Sequence, residues 1–113
     1  MYRSTSYFPV LFVLFSVPTK FVNKPKSSLT AYKNWDTYLK CDIFGYPLPV
    51  TTWTRSLKEL PANRHVIDGN KLTIKNTTEE DGGAYLCQGA NELGSVVAVT
   101  WVIVKDVGKF TSN

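Results

Sequence analysis

Two cysteines, a single histidine and one run of three acids are the side chains in this sequence whose types could do chemistry. Cys41 and Cys87 stand 46 positions apart, with His65 between them. A structural zinc site takes about four ligands, and two thiols with one imidazole leave the set incomplete. A dithiol redox motif needs its cysteines two residues apart, which these are not. A catalytic thiolate wants a histidine base, but His65 falls in a polar, loop-like stretch and reads as a solvated side chain. The remaining reading is a disulfide joining two sheets, the expected state of such a pair in an extracellular protein. The acids Glu79-Glu80-Asp81 mark a turn. Calcium asks for six to eight oxygens, and too few are spaced to supply them, so the run reads as a solvated turn whose last member is structural. No nucleophile–base pair, convergent carboxylate pair or glycine-rich phosphate loop is evident, and the glycines fall in turns. The expectation is a protein without catalytic residues, cofactor or metal.

The elements that must position these groups read as strands. Thr37 to Ile43 alternates, with Thr37, Leu39, Cys41 and Ile43 on one face and Lys40 and Asp42 on the other. Lys71 to Lys75 alternates too, placing Leu72 and Ile74 inward and Lys71, Thr73 and Lys75 outward. A period of two with one polar face is a half-buried antiparallel strand. Val50 to Arg55, centred on Trp53, and Ala84 to Ala90 are two more, and Ser95 to Val104 is the longest. Turn residues punctuate the chain at Gly45 to Pro49, Asp68-Gly69-Asn70, Asp81-Gly82-Gly83 and Asn91 to Gly94. Short strands so spaced suggest a sandwich or barrel. Asn76 to Gly83 has room for one brief helical turn.

The chain of 113 residues suits one domain with extensions: a leader over 1–17, a domain over 18–105 and a tail over 106–113. The apolar stretch Phe8 to Val17 behind Arg3 is too short to cross a bilayer and resembles a secretory signal, with cleavage expected between Ser16 and Lys20. The rival reading is a remnant of an upstream segment. Thirteen basic residues against nine acidic ones give a net charge of +4 without any basic run. That balance reads as a solvated surface with, at most, a weak polyanion or glycosaminoglycan contact. Nucleic acid is not expected, because no basic recognition motif or basic helix is present.

Taken in order, these residues resemble an immunoglobulin-superfamily domain of the I-set. Cys41 matches the strand B cysteine, and Trp53 matches the strand C tryptophan that packs on the disulfide. Asp81-Gly82-Gly83-Ala84-Tyr85-Leu86-Cys87 matches D-x-G-x-Y-x-C. Gly45-x-Pro47-x-Pro49 ahead of Trp53, Leu72-x-Ile74, and Ala90-Asn91 with Gly94 match further family segments, the last with one residue fewer before the asparagine. The resemblance spans about residues 18–105. It implies an all-β immunoglobulin-like sandwich of two antiparallel sheets in a Greek key, with one inter-sheet disulfide between Cys41 and Cys87. It implies a structural core of Leu39, Trp53, Leu72, Asp81 and Tyr85. The Tyr85 hydroxyl should bond backbone just upstream as a tyrosine corner, and Asp81 should pair with Arg64. Asn34 stands where relatives often carry glycine, and asparagine tolerates the left-handed conformation. Thr37 replaces a usual valine. Trp35 is either an exposed aromatic or a cap on the base of the sandwich.

Function must then come from surfaces. By the family pattern Ala98, Thr100, Val102 and Val104 face the core, leaving Val97, Val99, Trp101 and Ile103 outward near Thr52, Thr54, Leu86 and Gln88. Four apolar residues in succession on a solvent face are unusual. They are a candidate protein-binding face. The rival is that a neighbouring domain or residues 8–17 cover them, or that the register slips by one and exchanges the faces. Asn76-Thr77-Thr78 is a glycosylation sequon. The resemblance implies cell adhesion, matrix or receptor-ectodomain roles, with a homophilic or heterophilic protein partner and an extracellular location. The alternatives are an intracellular load-bearing domain of the giant muscle-protein type and a small secreted decoy or growth-factor binder.

Overall fold

The computed structural model describes residues 15–110. Residues 1–14 of the candidate leader, and with them most of its apolar stretch, lie outside the described residues. Among the described residues nine strands run in the order β1 (Val17–Asn23), β2 (Ser28–Tyr32), β3 (Thr37–Lys40), β4 (Asp42–Tyr46), β5 (Val50–Arg55), β6 (His65–Asp68), β7 (Lys71–Ile74), β8 (Gly83–Asn91) and β9 (Gly94–Lys105). One 3₁₀ turn, Glu79–Asp81, sits where the sequence leaves room for a helical turn, and another, Val107–Phe110, follows β9.

One layer is the four-stranded sheet β2-β9-β8-β5. The other is the sheet β3-β7-β6 with the β1-β4 pair beside it. The alternating run Thr37 to Ile43 is a single stretch of chain broken at Cys41. There the Cys41 N–H still donates to the Asn70 carbonyl at 2.8 Å, in line with the β3–β7 register. The β1-β4 pair therefore continues the β3-β7-β6 sheet. One pairing departs from the antiparallel expectation: β2 runs parallel to β9. The reason is the crossing at residues 24–27, which carries the chain from one sheet to the other without reversing it.

The two layers meet over Leu39, Cys41, Trp53, Leu72, Ile74, Tyr85, Cys87 and Val102, with Phe21, Leu29, Ile43, Leu60 and Val104 packed at their margins. The Cys41–Cys87 disulfide crosses this layer, its Cα atoms 6.4 Å apart, and Trp53 is buried in the same cluster. Alternation accounts for most of the selection, since side chains at every second position of a strand share a face.

Several elements differ from the sequence reading. β1 takes in Val17, which the sequence placed in the leader, and a cut between Ser16 and Lys20 would leave β1 whole only if it preceded Val17. His65 lies on β6 rather than in a loop, and its Nδ1 is 2.8 Å from the Pro61 carbonyl. Thr73 is buried rather than exposed. It occupies the central strand of its sheet, where Tyr38 and Val66 flank it in register and cover it from either side. The tail read over 106–113 begins with the short 3₁₀ turn, and Lys33 reaches Asp106 at 3.8 Å.

Candidate functional site

The geometry separates a structural corner from a surface. At the corner, the 3₁₀ turn brings Asp81 under Arg64. The guanidinium donates from Nη1 at 3.0 Å and from Nη2 at 2.9 Å to the two carboxylate oxygens, a two-pronged pair. The Thr78 N–H adds a bond of 2.8 Å. Asp81 is 2% exposed. Burial alone would push its carboxyl up, but the Arg64 hydrogen bond, the Thr78 N–H and the charges of Arg64 and Arg55 together outweigh it. The carboxyl is held below its usual range. Its oxygens are thus committed to structure, while Glu79 and Glu80 remain exposed.

The Tyr85 hydroxyl donates to the Asp81 carbonyl at 2.6 Å, which fixes the crossing between β7 and β8. Arg55 lies over the Tyr85 ring at 5.2 Å and donates to the carbonyls of Glu80 and Gly82. Gly83, with φ of +135°, makes the bend that lets the chain enter β8, a conformation side chains rarely adopt. Burial pushes the Tyr85 phenol up to about 12, Arg55 pulling it down and Asp81 adding to the rise. A free tyrosine titrates near ~10. The folded state therefore holds this proton longer than the unfolded chain. Its contribution is whole below pH ~10 and is lost as pH rises toward the folded value, a loss of roughly 2–3 kcal/mol. Denaturant melts at pH 9, 10, 11 and 12 should show this decline, and Tyr85→Phe should flatten it.

At the opposite end Asn91 ties three segments together. Its Nδ2 donates to the Val17 carbonyl at 2.8 Å and the Pro47 carbonyl at 3.1 Å, and its Oδ1 accepts from the Leu93 N–H at 3.0 Å. A Cβ on Gly45 would stand 2.9 Å from that Nδ2, so only glycine lets the staple close. Asn34 has φ of 75°.

The surface is β9. Ala98, Thr100 and Val102 are buried. On the outer face Val97 is 53% exposed, Val99 41%, Trp101 58% and Ile103 49%. Register sets their neighbours: Val97 beside Gln88, Val99 beside Leu86, and Trp101 between Ala84 on β8 and Ser28 on β2. Thr52 and Thr54 follow on β5. Trp101 also borders a shallow cavity of about 210 Å³ shared with Arg55, Lys58, Ala84 and the fully exposed Leu57. The sequence reading missed Leu57, which lies outside any alternating run. It also missed a second exposed group on the other sheet: Val22, Tyr38, Phe44, Tyr46 and Val66. The signal was present in the even positions from Tyr38 to Tyr46. Trp35 is exposed and packs on Tyr32, ring centroids 5.3 Å apart. Asn76, in the left-handed region with φ of 52°, is exposed, and its N–H donates to Asp36 at 3.0 Å.

Two facing sheets, a central disulfide and tryptophan, and a tyrosine corner closed by a buried Asp81 paired with the partly exposed Arg64 define an immunoglobulin-like β-sandwich. The immunoglobulin I-set domain family matches residues 19–104, and the chain belongs to that family. It is 35% identical over 105 residues to hemicentin-1 of Mus musculus, a match covering 92% of this chain and 2% of that protein. The chain thus spans a small fraction of that relative's length. Among solved structures, the insect immune protein hemolin, described with implications for homophilic adhesion, aligns with a TM-score of 0.73 and 28% identity, over 80% of this chain and 23% of that one. A chain in the complex of titin M10 with an obscurin-like 1 immunoglobulin domain aligns with a TM-score of 0.68 and 27% identity, over 80% of this chain and 96% of that one.

Proposed function

We propose that this chain is an extracellular protein-recognition module that binds through the outer face of the β2-β9-β8-β5 sheet. Trp101 is its aromatic anchor, with Val97, Val99 and Ile103 around it. One observation carries the reading: four successive outward positions of β9 are apolar and exposed, although the neighbouring strands supply Thr52, Thr54 and Gln88 on the same face. An apolar strip, continued by Leu86 and Ala84 on β8 and edged by Gln88, Thr52 and Thr54, is the make-up of a contact surface, and a large aromatic within it is the residue type that dominates binding energy. The partner is a protein, either a second copy or a different chain. The reading treats the chain as a binding domain rather than an enzyme.

An oxidised cysteine pair and an exposed Asn76 in a sequon support secretion, with a glycan on that asparagine. The likeness to hemolin supports adhesion as the context. The likeness to the titin complex favours a second reading, an intracellular structural domain. Expression in a secretory cell separates them. Secreted protein whose mass falls with glycosidase, and which takes up thiol reagent only after reduction, supports the first reading. Retained protein with free thiols supports the second.

The face is tested by beads coated with the secreted chain, scored for self-clustering and for capture of a panel of purified ectodomains. Trp101→Asp should keep its melting temperature and weaken the contact about 30-fold or more, as expected on removing a central aromatic anchor. Contact of undiminished strength by a folded Trp101→Asp chain would overturn the reading.

A further inference from the structure

We propose that the cleft beneath the β1–β2 crossing, with the lysines around it, is a binding site for a sulfated glycosaminoglycan chain. The cleft lies at the edge of the sandwich, where the Ser27 carbonyl accepts from the Trp101 N–H at 2.9 Å, and its lysines lead away from the Trp101 face onto β3 and β7. Where the chain changes sheets at residues 24–27, it leaves an opening of about 350 Å³. Leu29, Leu39 and Tyr38 give it an apolar lining, and Lys24, Lys26 and Lys40 also line it. Lys71 extends the group: it is the register partner of Lys40, and its Nζ lies 5.5 Å above the Tyr38 ring.

These cations are poorly compensated. Like charges directly opposite on adjacent strands repel. Among the described residues Lys40 reaches only Asp42, at 4.0 Å, and no ion pair engages Lys24, Lys26 or Lys71. The Asp42 carboxylate already accepts from Asn70 at 2.7 Å. Asp68, the register partner of Lys71 on β6, is the other nearby acid. The lysines run from the crossing across β3 to β7, a span rather than a point, which fits a repeating anion better than a lone phosphate. Among the described residues no arginine lines the cleft. Lysine is a compact point charge that pairs with an anion from any side, so the row can follow charges spaced along a chain. The exposed flank of Tyr38 beside that row gives a sugar ring a packing surface, which favours a sulfated glycan over an acidic peptide. A pyranose ring would pack on the flank of the exposed Tyr38 while its sulfates reach the lysines.

The test is calorimetric titration of the full chain with a size-defined heparin octasaccharide at ~0.15 M salt. The wild type should bind. The variant K24Q/K26Q/K40Q/K71Q should lose about tenfold or more in affinity, and the charge-matched variant K33Q/K58Q/K75Q/K105Q less than about threefold. Tyr38→Ser, which keeps every charge, should lose about threefold or more. Unchanged circular dichroism and melting temperature certify that each variant is folded. Absence of binding by the wild type, equal losses in the two lysine variants, or full affinity in Tyr38→Ser would overturn the site. A polyglutamate peptide of matched charge that binds as tightly as the octasaccharide would overturn the glycan assignment.

Discussion

Replacing both cysteines by alanine, in Cys41→Ala/Cys87→Ala, should cost about 4 kcal/mol, enough to leave the domain barely folded at 37 °C. The magnitude follows from the loop that the bond closes. A separation of 46 residues removes on the order of 4 kcal/mol of conformational freedom from the unfolded chain. Both sulfurs are in the core, so the lost packing adds to the loss of the bond. For a domain of this size each kcal/mol lowers the melting temperature by about 4–8 °C, so the fall should reach roughly 15–30 °C. Calorimetry of the oxidised wild type and the double variant measures it directly. The reduced wild type loses the bond but keeps both side chains in the core, so it should fall by less than the variant. A double variant melting within a few degrees of the wild type would show that the sandwich does not depend on this bond.

The second large effect is expected at Arg64. Arg64→Ala removes the cation but leaves the Asp81 carboxylate buried, and breaking a buried pair from one side costs about 3–5 kcal/mol. Arg64 is partly exposed, so the lower end is expected here. The pH dependence gives a sharper signature. In the wild type the Asp81 carboxyl is held low, so its contribution is present above the unfolded value of about 3.9 and is lost as pH falls through the folded value. Without Arg64, burial becomes the dominant influence and raises the carboxyl, so stability should begin to fall at higher pH than in the wild type. Asp81→Asn introduced together with Arg64→Ala should recover part of the loss by removing the stranded charge. Urea melts of the three proteins between pH 3 and pH 7 test this, and parallel acid profiles would show that the pair is not an energetic unit.

The centre of this fold is legible because its residues have no substitutes. A disulfide, an indole packed beside it and a tyrosine bonded to a backbone carbonyl each demand one residue type at one spacing. Cys41, Trp53, Asp81, Tyr85 and Cys87 therefore stand out in the bare sequence. The periphery is less legible because tertiary pairing builds it. β1 contains Pro18 and lacks clean alternation, and it exists because Phe21 and Asn23 find Ile43 and Asp42 across the ladder. β6 is four residues long, too short for a pattern to emerge. Thr73 is covered by Tyr38 and Val66, neighbours far away in the chain. The outward register of β9 could be counted from Gly94, because β8 and β9 pair from Asn91–Gly94 onward without a slip. Leu57 escaped because it sits in a turn outside any alternating run, and the lysine-lined cleft because it forms only where separate segments come together.

The central claim is that the Trp101 face, and not the opposite sheet, meets a protein partner. Photo-crosslinking on living cells tests it without knowing that partner. The secreted chain would carry a photo-reactive amino acid in place of Val99 or, separately, in place of Phe44, which is similarly exposed on the other sheet. The account predicts a discrete crosslinked protein species from position 99 that disappears in the Trp101→Asp background, and none from position 44. A species formed from position 44 alone, or one from position 99 that survives Trp101→Asp, would contradict it.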